Sequence, residues 1–287
     1  MQPIVYKTVG SIYILQIRIT HVKNMTWRFI DTNMTDGFYS AALFESIAKH
    51  VGNSEVDDTI LFWRVRTPAV YLGYHQYVED EIHEDYCAAN GIQVVRRVLG
   101  GGCGFCDEDQ ILFSVISREG SGSVPTDIQG AYSRVLGGLI NTLRALGFDG
   151  KLEPTRNAVY SMRRKISGNA QGRLDGAVLV NGSFLLDFVF DEMDRVLKNP
   201  TKNLAEGVEC ARDGMITLSE LLDGAGYDID HVKGVLKRGF EDALGIEAQH
   251  GVLTDSEIEL AQRLSEKHRS RDWIYRMDDK RRRRRGR

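Results

Sequence analysis

Between Thr59 and Phe188 the chain sets strand-length apolar runs beside helix-period segments in no regular order, and this irregularity most limits the architecture open to it. The stretch TILFWRVRTPAVYLGYHQ reads as two strands broken at Thr67-Pro68, because proline cannot donate to a ladder and restricts the residue before it. EDEIHEDYCAANG follows as a helix ended by Gly91. IQVVRRVLGGG is then a strand running into a glycine turn, and ILFSVIS an apolar strand. KISGNAQGRLDGAVLVNGSFLLDF supplies two further strands around a turn at Gly172 to Gly176. A doubly wound parallel sheet needs a crossover helix after each strand, and these connections do not alternate that way. The expectation is an α+β fold: a mixed, largely antiparallel sheet flanked by helices.

Helical spacing is clearest in DGFYSAALFESIAKH, with Thr35 or Asp36 available as a cap, and in the segment carrying Leu136, Leu139, Ile140, Leu143 and Leu146 on one stripe before Gly147. After about residue 195 the pattern turns helical, in TLSELLDG, DIDHVKGVLKRGFEDALG and TDSEIELAQRLSEKHRS, the last opening on a T-x-x-E capping box at Thr254 to Glu257. The expected organisation is an α+β domain over residues 25–200, a small helical module over 201–276 and a disordered basic tail over 277–287.

Net charge is -3, but Lys280 to Arg287 carries seven cations and no anion, so the rest of the chain stands at -10. An acidic body argues against nucleic-acid binding by the folded part, which depends on phosphate attraction. Cys87, Cys103, Cys106 and Cys210 do not look like a disulfide framework, and a reducing, cytoplasmic setting is expected. The apolar stretch SIYILQIRITHV is interrupted by Gln16 and Arg18 and is far short of a membrane span.

Two constellations carry chemistry. In Arg96-Arg97-Val98-Leu99-Gly100-Gly101-Gly102 a strand delivers two cations to a turn without side chains at three successive positions, which permits close backbone approach to a ligand. Adjacent strand residues point to opposite faces, so one arginine faces a pocket while the other pins the loop. A tight structural turn with solvated arginines has the same sequence. In Lys165-Ile166-Ser167-Gly168-Asn169-Ala170-Gln171 a lysine enters an apolar strand, where an ammonium can hold a carbonyl oxygen as charge develops in acyl transfer. The competing reading is that Lys165 is the last cation of the surface run Arg163-Arg164-Lys165.

In order, RRVLGGG with DEDQILFSVI, then TRNAVYSMRRKISGNAQ, then GAVLVNGSFLLD, resemble the biotin and lipoate protein ligase superfamily, most closely the lipoate-protein ligases and lipoate-type octanoyltransferases. The resemblance covers about residues 25 to 200; residues 1–24 are therefore expected to be an extension, with Met25 as the native start. It implies that Lys165 is catalytic. It also implies that Arg96, Arg97, Gly100, Gly101, Gly102, Gly168, Ala170 and Gln171 line an acyl channel, and that Gly73, Gln76 and Asp107 belong to the same site. The activity expected from it is lipoate-protein ligation: Mg2+ and ATP activate lipoate to lipoyl-AMP, and the acyl group passes to a lysine of a lipoyl acceptor domain. Acceptors of this kind belong to 2-oxoacid dehydrogenases or the glycine cleavage H protein, and an accessory protein is sometimes required for activation.

Three positions depart from the ligase pattern: Ala158 where an acid is usual after Arg-Asn, Cys106 where histidine often precedes Asp107, and Asn181 where histidine precedes Gly-Ser. The alternative is octanoyl transfer from acyl carrier protein through a cysteine thioester, whose cysteine would lie shortly before the Lys165 strand. Lys151 to Arg164 contains none, and Cys103 and Cys106 are more simply buried residues. Biotin ligation, whose glycine loop reads differently, and a non-catalytic acyl- or nucleic-acid-binding module are the other readings.

Overall fold

The computed structural model describes residues 26–285. The expected extension at residues 1–24 lies outside them. Eleven strands are formed among the described residues: β1 (Trp27–Thr35), β2 (Asp58–Val65), β3 (Ala69–Leu72), β4 (Gln93–Arg96), β5 (Gly104–Cys106), β6 (Gln110–Arg118), β7 (Lys151–Glu153), β8 (Ala158–Ser161), β9 (Arg164–Leu174), β10 (Ala177–Leu185) and β11 (Ala248–His250). Interspersed are the helices α1 (Gly37–Gly52), α2 (Val78–Glu81), α3 (Glu84–Ala89), α4 (Ile128–Ala145) and α5 (Phe190–Val196). The remainder are α6 (Ala211–Gly214), α7 (Leu218–Leu221), α8 (Ile229–Leu244), α9 (Asp255–Arg269), α10 (Arg271–Ile274) and α11 (Arg276–Arg285).

The fold is α+β. Eight strands form one sheet in the order β11-β1-β2-β6-β10-β9-β8-β7, parallel only where β1 meets β11 and β2. A second sheet of three strands, β4-β3-β5, stands apart from it. Pro68 sits at the break: β2 ends at Val65 in the large sheet and β3 starts at Ala69 in the small one. One face of the large sheet is covered by α4 and α8, whose Leu136, Leu139, Leu236 and Phe240 share a core with Phe62 and Phe113. Burying each such side chain contributes about 1.5–3 kcal/mol. The other face carries α1, whose Leu43, Phe44 and Ile47 pack on Leu61, Trp63 and Leu179.

Local signals act as their chemistry requires. Asp36 caps α1 by accepting from Tyr39 N, and the Thr254 to Glu257 capping box is present on α9. The single helix expected over EDEIHEDYCAANG is instead two, α2 and α3, because Ile82 leaves helical geometry to form a bridge with Leu197. The residues after 200, expected as a separate module, share the common core: α8 lies on α4, β11 extends the large sheet beside β1, and Ser46 Oγ of α1 donates to Glu257 O of α9.

The basic C-terminus also differs from the solvated tail expected of it. Helix α11 continues to Arg285 and is pinned by a buried Asp278, which accepts from Val78 N and Glu79 N and lies 3.8 Å from the fully buried Arg96 guanidinium. Arg281 stacks on Tyr77 and pairs with Asp80 at 2.7 Å. A run of cations taken alone looks solvated; here Glu79 and Asp80 of α2 hold Arg281, while Lys280 and Arg282 to Arg284 are exposed.

Candidate active site

The space between the two sheets, closed at one end by α5 and the 199–204 loop, is a cavity of about 400 Å³, a size suited to a small ligand. Its floor is the inner face of β9 and β10. Its roof is the turn at Gly101 and Gly102, and its interior is aromatic and aliphatic, with Phe44, Trp63, Leu112 and Phe105 among the lining residues.

Lys165 reaches this floor through a backbone irregularity. Ser161 and Arg164 pair across a two-residue turn, Met162-Arg163, in which both residues have positive φ (47° and 64°), the pattern of a type I′ hairpin. Val159 then faces Ser167 while Tyr160 faces Lys165, so β9 carries one extra residue, Ile166, at this point. Strict alternation would put Lys165 with Ser167 and Asn169. The bulge instead lets its side chain run along the face of Gly168 and Ala170. A Cβ at Gly168 would lie 3.0 Å from Lys165 Cε and 3.1 Å from Nζ, so the missing side chain makes the room the ammonium occupies. Nζ makes no hydrogen bond or ion pair among the described residues. Burial, helped by the neighbouring Arg156 charge, lowers its pKa to about 8.

The glycine turn is shaped by Arg97. Its guanidinium donates to Tyr71 O at 2.8 Å, Gly100 O at 3.1 Å and Gly102 O at 2.5 Å, fixing the turn over Ala170. Arg97 thus both lines the cavity and pins the loop. Arg96 points the other way, donating to the carbonyls of Gly73, Tyr74, Gln76 and Ile274. Gly73 is where the small sheet meets the turn: a Cβ there would fall 2.0 Å from Gly101 O. Its N–H donates to Gln76 Oε1.

Of the residues singled out in the sequence, Lys165, Arg97, Gly101, Gly102, Gly168 and Ala170 line the cavity. Gly100 belongs to the turn without lining the cavity, and Arg96, Gly73 and Gln76 stand behind the turn and support it. Asp107 is buried away from the cavity, accepting from Asp109 N, Gln110 Nε2 and Val189 N, and burial raises its pKa. Gln171 donates to Ile128 O at the sheet margin. Residues the sequence did not bring forward are Trp63, Arg156, Asn157, Lys202 and Asn203. Trp63, Lys202 and Asn203 come from segments that carry no site motif, whereas Arg156 and Asn157 stand inside the TRNAVYSMRRKISGNAQ segment but drew notice only as the pair before Ala158; Asn157, at φ 49°, carries the turn signal of a residue able to adopt left-handed geometry.

Asn181 faces the cavity from β10, opposite Ala170, with Oδ1 accepting from Ser114 Oγ at 2.7 Å. Glu81 is the one carboxylate among the described lining residues, and it is paired with Lys202 at 2.9 Å. Ala158 is fully buried and brings no oxygen. Among the described residues no group of three or more His, Cys, Asp or Glu is placed to hold a metal ion. Cys103 and Cys106 line the cavity as buried thiols. Burial pushes Cys103 up to about 12 and Cys106 further in the same direction.

Comparison with known proteins places this geometry. The chain is 28% identical to the octanoyltransferase LipM of Staphylococcus aureus, an alignment covering 88% of this chain and 99% of that one. It is 29% identical to the octanoyltransferase LipM of Halalkalibacterium halodurans at the same coverage. These names correct the expectation of a lipoate-protein ligase that activates lipoate with ATP: relatives matched over almost their whole length are octanoyltransferases, the activity weighed above as the alternative. Among solved structures, a lipoate-protein ligase A bound with ATP superposes with a TM-score of 0.76 at 25% identity, covering 88% of this chain and 100% of that one. The bipartite lipoate protein ligase of Thermoplasma acidophilum, studied with its E2 lipoyl domain, does so with a TM-score of 0.75 at 26% identity, covering 88% and 97%. The lipoyl protein ligase A/B catalytic domain family matches residues 36–241, and this chain belongs to it.

Proposed function

We propose that the protein is an octanoyltransferase that takes a medium-chain acyl group from a thioester on acyl carrier protein and joins it to a lysine of a lipoyl acceptor domain, such as those of 2-oxoacid dehydrogenases or the glycine cleavage H protein. The observation that carries the reading is Lys165: an ammonium without a carboxylate partner, facing an apolar cavity under a glycine turn. Ground-state ion pairing would neutralise it. Left unpaired and poorly solvated, it favours a carbonyl oxygen as negative charge builds there. The interior side chains Phe44, Trp63 and Leu112 suit a hydrocarbon chain, and Arg156 and Lys202 make the polar lining cationic. The names of the full-length relatives support the thioester donor over free acid and ATP.

Transfer requires the acceptor amine in its neutral form, and the leaving sulfur takes up a proton as the amide forms. A lysine lowered to about 8 can exchange protons with both near neutral pH, which an ordinary lysine does poorly. The test is intact mass of a purified apo-lipoyl domain after incubation with the enzyme. One tube holds octanoyl-acyl carrier protein without ATP, the other lipoate with Mg-ATP. The expected result is an octanoyl adduct in the first tube only; product in the second alone would overturn the reading.

A further inference from the structure

Helix α11 has one face that the body of the protein does not use. Asp278 and Arg281 point to α2, and the residues on the far side of the helix recur at i, i+4, i+7 and i+8, which here are Arg276, Lys280, Arg283 and Arg284. Arg276 lies over the rings of Tyr74 and Trp273. Lys280, Arg283 and Arg284 are exposed and meet no acid among the described residues. Cations three and four positions apart on a helix repel one another, so the strip is held by its anchors and not by its own charges. A carboxylate surface laid along it would relieve that repulsion.

The strip lies beside the cavity. Asp278 holds the start of α2 through Val78 N and Glu79 N, and α2 ends about 5 Å farther along its axis at Glu81, a lining residue. The acids between are already neutralised, Glu79 and Asp80 by Arg281 and Glu81 by Lys202. Exposed Lys198, whose Nζ donates to Glu79 O at 2.6 Å, and exposed Lys202 therefore continue the positive surface from α11 to the cavity rim. The rest of the chain is acidic, at -10 without Lys280 to Arg287. A long polyanion such as nucleic acid would run off the strip onto repelling surface, whereas an acidic patch the size of one helix face fits it.

We infer that the outer face of α11, continued by Lys198 and Lys202, is the docking surface for an acidic face of the carrier protein that brings the acyl thioester; this rests on the octanoyltransferase reading above. Docking there sets the carrier beside the opening through which its thioester enters. Exposed charge pairs of this kind speed encounter and weaken with salt. They act on capture of the donor and leave the bond changes to the residues inside the cavity.

The experiment uses the full chain, an apo-lipoyl domain as acceptor and two donors, octanoyl-acyl carrier protein and the protein-free thioester octanoyl-pantetheine. In K280E/R283E/R284E, KM for the carrier-bound donor should rise about 10-fold or more at about 50 mM NaCl, with kcat within about twofold of wild type. Its kcat/KM for octanoyl-pantetheine should stay within about twofold. Wild-type KM for the carrier should climb as salt is raised, and the variant's should climb less. A reversal of equal charge on α4 and α8, across the large sheet, R134E/R144E/R238E, should leave the carrier KM unchanged, since these three arginines are also exposed. An unchanged carrier KM in the α11 variant would overturn the inference and leave the octanoyltransferase reading intact. So would equal losses with both donors, or the same rise in the α4 and α8 variant. Binding of a labelled single-stranded RNA that the α11 variant loses while keeping its carrier KM would assign the strip to nucleic acid instead. No transfer from either donor by the wild type would overturn the octanoyltransferase reading and this inference with it.

Discussion

Replacing Lys165 with methionine should abolish transfer and make the protein more stable at neutral pH. The side chain is similar in length and apolar, so it fills the same space above Gly168 without a charge. In the unfolded chain a lysine titrates at its ordinary 10.5, whereas burial brings Lys165 to about 8 in the fold. Every tenfold loss of proton affinity on folding corresponds to about 1.4 kcal/mol, which sets an upper bound of about 3 kcal/mol on the cost of keeping the ammonium in the folded protein at pH 7. Lys165 is partly open to the cavity rather than sealed, and cavity water lowers that cost to about 2 kcal/mol. The sign follows from a folded pKa below the unfolded one. Below pH 8 both states hold the proton and the full penalty applies; between 8 and 10.5 the folded state releases it first and the wild type gains stability; above 10.5 the penalty is gone. Urea melts of the two proteins at pH 7, 9 and 10.5 should therefore show Lys165→Met ahead by about 2 kcal/mol, then by less, then level. A variant less stable than wild type at pH 7 would refute the argument that the ammonium is held against its solvation preference.

Activity of the wild type should fall as pH rises through about 8, because oxyanion stabilisation needs Lys165 protonated; a kcat profile flat to pH 9.5 would exclude that role. Gly168→Ala places a methyl 3.1 Å from Nζ, which ordinary contact would push back by about half an ångström, and kcat should fall about 10- to 100-fold with little loss of stability. Gly73→Ala puts a Cβ 2.0 Å from a backbone oxygen of the glycine turn, which cannot rotate away, so stability should fall by about 1–3 kcal/mol in denaturant melts and donor KM should rise. Asp278→Ala leaves Arg96 buried without its counter-ion and removes the acceptor for two N–H groups of α2, for a loss of about 3 kcal/mol and faster proteolysis after Ile274.

Much of this fold is legible because periodicity and caps act locally. The break at Pro68, the Asp36 cap, the apolar stripe of α4 and the capping box at Thr254 each depend on a few neighbouring residues, and each appears where the sequence puts it. The site is legible only where one segment holds it. The RRVLGGG turn shows its shape in sequence, but which arginine faces inward depends on how β4, at the edge of the small sheet, lies between β3 and α10, and the answer is Arg97. Lys165 is the sharper case. Taken as an unbroken strand, residues 165, 167 and 169 share a face, and Gly168 and Ala170 have no reason to meet the lysine. The bulge at Ile166 reverses that, and it is a property of the pairing with β8 rather than of β9 alone. Asn203 and Lys202 reach the cavity from a loop whose position is set by long-range contacts such as Lys202 with Glu81. In the basic run at the C-terminus, Arg281 looks as solvated as its neighbours until the acids of α2, about two hundred positions earlier, are brought beside it.

The weaving of the last third of the chain into the core limits how this catalyst can be cut, fused or recombined. Arg96, whose strand begins the glycine turn, holds Ile274 O and lies against Asp278, while Trp273 Nε1 and the buried His268 both contact Arg96 O. A fragment ending near residue 200 would thus lack not an accessory lobe but the backing of the turn itself. Library designs that swap C-terminal segments between relatives should succeed only when the residues meeting Arg96 travel together with it, so crossover points belong on the outer loops, such as the one between α7 and α8, with both sides of this contact inherited from one parent.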